Sequence, residues 1–548
     1  MIADMLECAR AWAADDPHDG DRAELEALVA ASSTDPTATA ELTRRFAGPL
    51  TFGTAGLRGP LRAGPAGMNA AVVTRAAAGL ARYLAEEGHV GRGIAVGFDA
   101  RHRSDEFARV TAGVLTGAGF AVSVLPRPLP TPVLSFAVRH LGAVAGVMVT
   151  ASHNPPRDNG YKVYLSDGAQ LVPPADRLIE AAIGAVGSAR DVARGEEWTI
   201  LGDDVEDDYV AAVVAALQPD RLDAAARRRL VVAYTAMHGV GAQTTARVFA
   251  AAGFAPVHSV PEQERPDPEF PTVAFPNPEE PGAVDLLVAL ADRAGADVAI
   301  AEDPDADRCS VVCGGRQLTG DEVGVLLADW LLRRGVRGTY AASLVSGSLL
   351  GRLTEAHGVP FAETPTGFKW IIRAGTPAAP LVFGYEEALG YAVTPSVAHD
   401  KDGISAALAV ALLAAELAVD GRTLTDRLDE LAREHGLFAT GQLSVRVEDL
   451  SLISGAMARL RARPPAQLLG RDVEATDLAE ADLPVDAVRL LGEGVRVIVR
   501  PSGTEPKLKA YLEVVVPVSD DAGVPAARRR GAAELDQLRV EMISTLEL

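Results

Sequence analysis

The chain has 548 residues, more than one hydrophobic core can use, and its length points to about three to four domains. Hydrophobic residues make up 48% and charged residues 23%, so each domain can bury a core. The net charge of -22, from 74 acidic and 52 basic residues, excludes a general binder of nucleic acid or anionic membrane, and an anionic substrate therefore needs a locally basic pocket. In chain order, the first 45 or so residues read as amphipathic helices, with Leu25, Leu28 and Val29 at helical spacing and Ser33, Thr34 and Pro36 closing the segment. Asp4 and Glu7 argue against a secretory leader, and no apolar run is long enough to span a membrane, so a soluble cytoplasmic protein is expected. Residues 93–100, 120–126, 145–150 and 229–236 are strand-like, whereas 71–87, 104–118 and 241–252 are helix-like, an alternation that predicts parallel α/β sheets. The acidic stretch 202–210 leads through a helix into the strand at 229–236, 314–324 starts another helical unit, and 440–475 begins a last unit. Residues 516–531 read as an exposed insertion before a C-terminal helix.

Only three cysteines occur, Cys8, Cys309 and Cys313, too few for a disulfide framework and in keeping with a reducing compartment. Cys309 and Cys313 read better as small buried side chains than as a zinc site, because no matching Cys/His pair accompanies them.

Four strand-like runs end in unusually polar loops: "AGVMVTASHNP" (145–155), "ADVAIAEDPDADR" (296–308), "PLVFGYEEALGY" (380–391) and "VRVIVRPSGTEPK" (495–507). Ligand groups gather where the strands of open α/β sheets end, so four such loops suggest four domains each offering one loop to a shared cleft. In the second loop Asp303, Asp305 and Asp307 alternate, and three hard oxygen ligands can converge on one divalent cation with positions left for a phosphate oxygen. An EF-hand is excluded, since Arg308 and Gly314 stand where its Gly and Glu belong.

The last loop has the opposite chemistry. Arg500 can fork onto phosphate oxygens, Ser502 and Thr504 supply hydroxyls, Gly503 lets backbone amides approach, and Lys507 and Lys509 add positive charge. Glu386 and Glu387, among glycine and aromatic residues, suit hydrogen bonding to vicinal sugar hydroxyls. Ser152 lacks the G-x-S-x-G elbow of an α/β-hydrolase, and His153 does not become its base by adjacency alone, because neighbouring side chains generally diverge. A turn cap is one role for Ser152; beside a metal triad and a phosphate clamp, a phosphoryl carrier is the other.

With these motifs in order from "TFGTAGLRGP" (51–60) to "RPSGTEPKLKAY" (500–511), the sequence resembles the α-D-phosphohexomutase superfamily over nearly its whole length. "YTAMHGVG" (234–241), "FPNPEEPGA" (275–283) and "ETPTGFKW" (363–370) look most like its phosphoglucomutase-2 and phosphopentomutase branch. The resemblance implies an α/β protein of four domains around a central cleft: three related α/β domains and a smaller, mobile C-terminal α+β domain. On this sequence they are expected at 1–210 (N-terminal helices and phosphoserine domain), 211–318 (metal-binding), 319–439 (sugar-binding) and 440–548 (phosphate-binding).

By motif, the resemblance makes Ser152 the phosphoserine and assigns Mg²⁺ to Asp303, Asp305 and Asp307 together with the phosphate on Ser152. It places Arg58 and Lys162 near the transferring phosphoryl group, with Lys162 a candidate acid/base, and offers His399 and Lys401 as general bases. Arg308 would hold the loop or substrate, Thr366 and Gly367 line the sugar site, Glu386 and Glu387 meet sugar hydroxyls, and Arg500, Ser502, Gly503, Thr504 and Lys509 grip the phosphate that is not reacting. One departure stands out: many members carry a serine two residues after the first sugar-binding glutamate, where this chain has Ala388. The implied activity is interconversion of hexose 1- and 6-phosphates, of glucose or mannose, through a sugar 1,6-bisphosphate, in a phosphoprotein that is a monomer or dimer. Phosphopentomutase or sugar-bisphosphate synthase activity is the alternative within the family. Outside it stand a D-x-D-x-T type phosphatase, against which Asp307 speaks, and a phosphosugar-binding protein without turnover.

Overall fold

The computed structural model describes residues 2–51, 56–447, 449–480, 484–502, 507–518 and 523–547. The chain forms two compact units, one of residues 1–315 and 392–412, the other of residues 316–391 and 413–548.

In the first unit, helices Ile2–Asp15, Asp19–Ala31 and Pro36–Arg45 bury Ala9, Ala13, Leu25 and Leu42 around Ala63. Pro36 does not close this segment, as the sequence suggested, but opens its third helix: a proline has no N–H to leave unsatisfied there, and the Asp35 carboxylate caps Thr37 N–H at 2.8 Å. The acidic stretch 202–210 likewise runs into helix Asp204–Leu217, whose first turn favours carboxylates.

The first sheet runs in the order Leu57–Pro60, Asp158–Leu165, Ala145–Val149, Gly93–Phe98, Ala121–Val124, Thr199–Ile200. Its core gathers Val72, Val73 and Leu80 of helix Ala70–Glu86 and Phe107, Ala108 and Leu115 of helix Ser104–Gly117 against Val96, Val122, Val147 and Val163. The second sheet includes Cys309–Cys313, Val298–Glu302, Val232–Thr235 and His258–Ser259, in that order. Cys309 and Cys313 are buried free thiols.

The sheets are mixed and not wholly parallel. Asp158–Leu165 runs antiparallel to Ala145–Val149, with Met148 opposite Lys162, and Cys309–Cys313 runs antiparallel to Val298–Glu302, with Cys309 opposite Glu302. The reason is loop length: residues 150–157 and 303–308 are too few for the crossover that a parallel partner requires, so each strand returns beside the one it follows. The serine loop and the aspartate loop are therefore hairpin connections.

In the second unit, strands Phe361–Thr364 and Leu381–Glu386 flank Thr339–Ser343, both parallel to it. Helix Gly320–Arg333 begins with a reciprocal cap between Thr319 and Glu322. The C-terminal sheet is antiparallel in the order Leu437–Arg446, Lys507–Val516, Val495–Pro501, Val488–Gly492, Arg471–Asp477, Gln467–Leu468. Residues 523–531 are not an insertion: they are the first turns of helix Gly523–Leu546, whose Leu535, Leu538 and Met542 enter the core of that sheet. Alanine and arginine, which fill this stretch, are strong helix formers.

Candidate active site

Ser152 follows strand Ala145–Val149 with φ +52°, in the left-handed region. That turn brings neighbouring side chains together where an extended chain would separate them: Ser152 Oγ lies 3.0 Å from His153 Nδ1 and donates to Asp303 Oδ2 at 2.7 Å. The serine does not cap its own turn; Thr150 Oγ1 accepts from Ser152 N–H at 2.9 Å. Burial, then the charges of Arg308 and Arg58, hold the His153 pKa well below the usual histidine range.

The loop hangs on a residue that sequence reasoning missed. Buried Arg101 donates to the carbonyls of Asn154 at 2.7 Å and Pro155 at 2.9 Å, and also to those of Ser152 and Asp158. Its signal was an Asp and an Arg at the end of strand Gly93–Phe98, "GFDARHRS", which carries no motif of its own. Arg58 Nη1 donates to Asn154 Oδ1 at 3.1 Å, so it joins the same loop.

Asp303, Asp305 and Asp307 are fully buried, and one carboxylate oxygen from each lies within 4.8 Å of the others. The loop turns sharply at Ala306, φ +55°, and Asp303 Oδ1 accepts from Arg308 N–H at 3.1 Å. Thr131 Oγ1 donates to Asp305 Oδ2 at 2.6 Å, and Lys162 Nζ donates to Asp305 Oδ2 and Asp307 Oδ2 at 2.8 and 2.9 Å. Burial and the neighbouring Asp305 and Asp307 charges push Asp303 well above the usual carboxylate range. Burial opposes ionisation of Asp307, but Lys162 and Lys401 overcome it and hold its pKa low.

Buried Asp305 Oδ1 and Asp307 Oδ1 have no hydrogen-bond partner among the described residues. Three convergent carboxylates with two unsatisfied buried oxygens form a hard, all-oxygen donor set, which fits Mg²⁺.

Residues 399–402 close the site from another part of the chain. Lys401 Nζ lies 3.3 Å from Asp307 Oδ2, and Asp400 Oδ2 accepts from Tyr164 Oη at 2.8 Å and Gln170 Nε2 at 2.7 Å. Half-buried His399 donates its backbone N–H to Ser135 Oγ at 3.0 Å. Arg308 Nη1 reaches Glu279 of the long loop before helix Asp285–Ala294, at 3.4 Å.

The other residues singled out in the sequence lie in the second unit. Glu386 is the last residue of strand Leu381–Glu386, and Glu387 accepts from Ser343 Oγ at 3.0 Å and Ser346 Oγ at 3.3 Å. Thr366 and Gly367, the latter at φ +109°, form the turn before helix Phe368–Ile371. Arg500 ends strand Val495–Pro501 one residue before its close, and its buried Nε has no hydrogen-bond partner among the described residues. Lys509 stands opposite Arg500, its Nζ 6.0 Å from the Tyr511 ring centre, and Ser502 N–H bonds the Lys507 carbonyl at 2.8 Å. Gly503 and Thr504 lie outside the described residues.

Among the described residues no single helix is long and apolar enough to cross a membrane. Family models described as phosphoglucomutase/phosphomannomutase α/β/α domains I, II and III match residues 49–190, 207–316 and 319–435, and the C-terminal domain model matches 443–528. A probable phosphomannomutase of Haemophilus influenzae is 44% identical over 82% of this chain and 93% of its own. A phosphopentomutase of Mus musculus is 34% identical over 87% of this chain and 86% of its own. The crystal structure of a phosphoglucomutase/phosphomannomutase family protein from Burkholderia thailandensis shares the fold, with a TM-score of 0.68, 21% identity, and 90% of this chain and 97% of that one covered. Four domain matches in order along one chain, with a serine hydroxyl set against a buried acidic triad, make this chain a member of the phosphoglucomutase/phosphomannomutase family, with phosphoryl transfer of the phosphohexomutase type.

Proposed function

We propose that the protein moves a phosphoryl group reversibly between the 1- and 6-positions of a hexose phosphate, glucose or mannose, through a phosphoserine at Ser152 and a sugar 1,6-bisphosphate. The observation that carries this reading is the Ser152 hydroxyl, 2.7 Å from Asp303 on a left-handed turn that Arg101 holds by its carbonyls. A sugar hydroxyl attacks the phosphorus of phosphoserine; the new O–P bond forms as the Oγ–P bond breaks, the electron pair stays on Oγ, and the hydroxyl proton passes to a base. In the second half Ser152 Oγ attacks the other phosphate of the bisphosphate, and the proton returns to the sugar oxygen that is released. His399 and Lys401 are the proposed bases, and Lys162 the acid/base beside the transferring group together with Arg58.

Mg²⁺ held by Asp303, Asp305 and Asp307 with a phosphate oxygen supplies charge neutralisation when bound. Arg308 steadies substrate, Thr366, Gly367, Glu386 and Glu387 meet the sugar, and Arg500, Ser502, Gly503, Thr504 and Lys509 take the distal phosphate. The working division of the chain is 1–210, 211–318, 319–439 and 440–548.

Ser152→Ala is expected to abolish turnover, with a Ser152 phosphopeptide recovered from the wild type alone, and chelation is expected to remove an activity that Mg²⁺ restores. Full turnover in the alanine variant, or in metal-free enzyme, contradicts the reading. The same chemistry on a pentose phosphate is the second reading, favoured by Ala388 and by the 34% identity to a phosphopentomutase. Comparing kcat/KM for hexose and pentose phosphates decides between them.

A further inference from the structure

On or beside the serine and aspartate hairpins the backbone takes positive φ at Ser152, Ala306, Met237 (+48°), His238 (+60°) and Phe270 (+45°). Bulky side chains adopt that region rarely and hold it where surrounding contacts impose it. Met237 and His238 belong to the turn after strand Val232–Thr235, inside the "YTAMHGVG" run, and Phe270 lies in the long loop before helix Asp285–Ala294.

The turn leans on the aspartate hairpin. Val240 N–H donates to the Pro304 carbonyl at 2.8 Å, and a Cβ on Gly239 would lie 2.3 Å from Pro304 Cα, the residue between Asp303 and Asp305. The long loop is fastened to the turn. His238 N–H donates to the Gln263 carbonyl at 2.9 Å and Asp267 N–H to the His238 carbonyl at 3.0 Å, while Thr272 Oγ1 lies 2.8 Å from His238 Nε2 and accepts from Gln263 Nε2 at 2.9 Å. Phe270 N–H bonds the Asp267 carbonyl at 3.1 Å in a tight bend, and its side chain is buried. Arg101 Cζ lies over the Phe270 ring, 4.9 Å from its centre, and next to it His102 Nε2 meets Glu269 Oε1 at 2.6 Å. Arg101 in turn donates to the carbonyls of Ser152, Asn154 and Pro155. A path of contacts therefore runs from Pro304 through His238 and Phe270 to Arg101 and the serine loop, all inside the first unit.

We propose that Phe270, acting through Arg101, is a positioning residue that aims the Ser152 hydroxyl for phosphoryl transfer. The inference rests on the proposed function, because it needs Ser152 to take the phosphoryl group. A guanidinium is planar and its N–H groups point outward in that plane, so an aromatic ring over the central carbon restrains the plane without using a donor. All of the arginine's hydrogen-bonding capacity then remains for the loop. Leucine fills much of the same space but has no π face to set against the cation, so Phe270→Leu releases the guanidinium while keeping the site apolar.

The test follows phosphorylation of Ser152 in the full-length, dephosphorylated protein by excess labelled glucose 1,6-bisphosphate, recording both rate and final extent, with kcat and KM for glucose 1-phosphate alongside. The final extent counts the molecules with an intact site; the rate reads how well the hydroxyl is aimed. In Phe270→Leu the extent is expected to match the wild type, whereas the labelling rate and kcat fall about tenfold and KM changes less than about twofold. Phe270→Tyr, which keeps the ring, is expected to label at the wild-type rate. An unchanged rate in Phe270→Leu, or a lower extent at an unchanged rate, overturns the role of Phe270, the second because it marks a loss of folded protein alone. If Phe270→Leu does not fold, Phe270→Met decides by the same two readings. A wild type that takes no label on Ser152 sinks the functional reading and this inference with it, while a labelled wild type matched in rate by Phe270→Leu sinks this inference only.

Discussion

Glu387 is a half-buried carboxyl that accepts hydrogen bonds from two serine hydroxyls, and its environment raises its pKa from 4.5 to about 7. Desolvation is the largest cause, followed by the charges of Glu386 and Asp321. The folded chain therefore binds a proton here that the unfolded chain has already lost, so the stability from this group is full below about pH 4.5 and declines as pH rises toward 7. Glu387→Gln should flatten that decline: between pH 5 and 8 the urea midpoint of the wild type should fall relative to the variant by the equivalent of about 1–2 kcal/mol. Parallel midpoints across that range would show that the carboxyl is ionised throughout. Residues of this kind were half legible in the sequence. The Glu386–Glu387 pair, Ser152 and the three aspartates announce themselves because their chemistry is local, whereas Arg101, Thr131 and Asp400 act on carbonyls or side chains more than fifty residues away. The contact between Ser152 and His153 was hidden for another reason, since a positive φ cannot be read from a serine.

The serine and aspartate loops are hairpin connections, and the foot of the second is pinned by close packing. At the aspartate hairpin, Glu302 ends its strand buried under hydrogen bonds from Thr245 and Tyr234, and a Cβ on Gly241 would lie 2.2 Å from Glu302 Oε2 and 3.0 Å from Tyr234 Oη. Helix Gly241–Ala251 can approach this strand only because its first residue has no side chain. Gly241→Ala should cost about 1–3 kcal/mol of stability and displace the residue next to Asp303, so the Mg²⁺ concentration for half-maximal activity should rise; a variant with wild-type melting and metal response would show that the helix simply moves away. At this scale the strands and helices were read within a few residues, because alternation and helical periodicity are strong in this sequence. The direction of the returning strands was not. Strand direction depends on loop length, and the polar loops were read for their chemistry instead of their span.

The chain visits its first unit twice: after residues 1–315 it leaves and returns with 392–412. The returning stretch is apolar and buried almost residue by residue, from Ile404 through Leu412, and just ahead of it Asp402 accepts from Tyr209 Oη at 2.8 Å. A helix buried on every face belongs to a core. A fragment ending at residue 391 should therefore fail to give a protease-resistant first unit, as its Tyr164, Gln170 and Tyr209 lose their carboxylate acceptors and its core is left open. A soluble, protease-resistant 1–391 fragment would show the return segment to be dispensable. That threading also sets an order of events during synthesis. A ribosome that has made the serine hairpin and the aspartate hairpin has still to make Asp400 and Lys401, so the nascent chain carries Ser152 and the three aspartates for many residues before the structure around them can close, and assembly is postponed until most of the polypeptide exists.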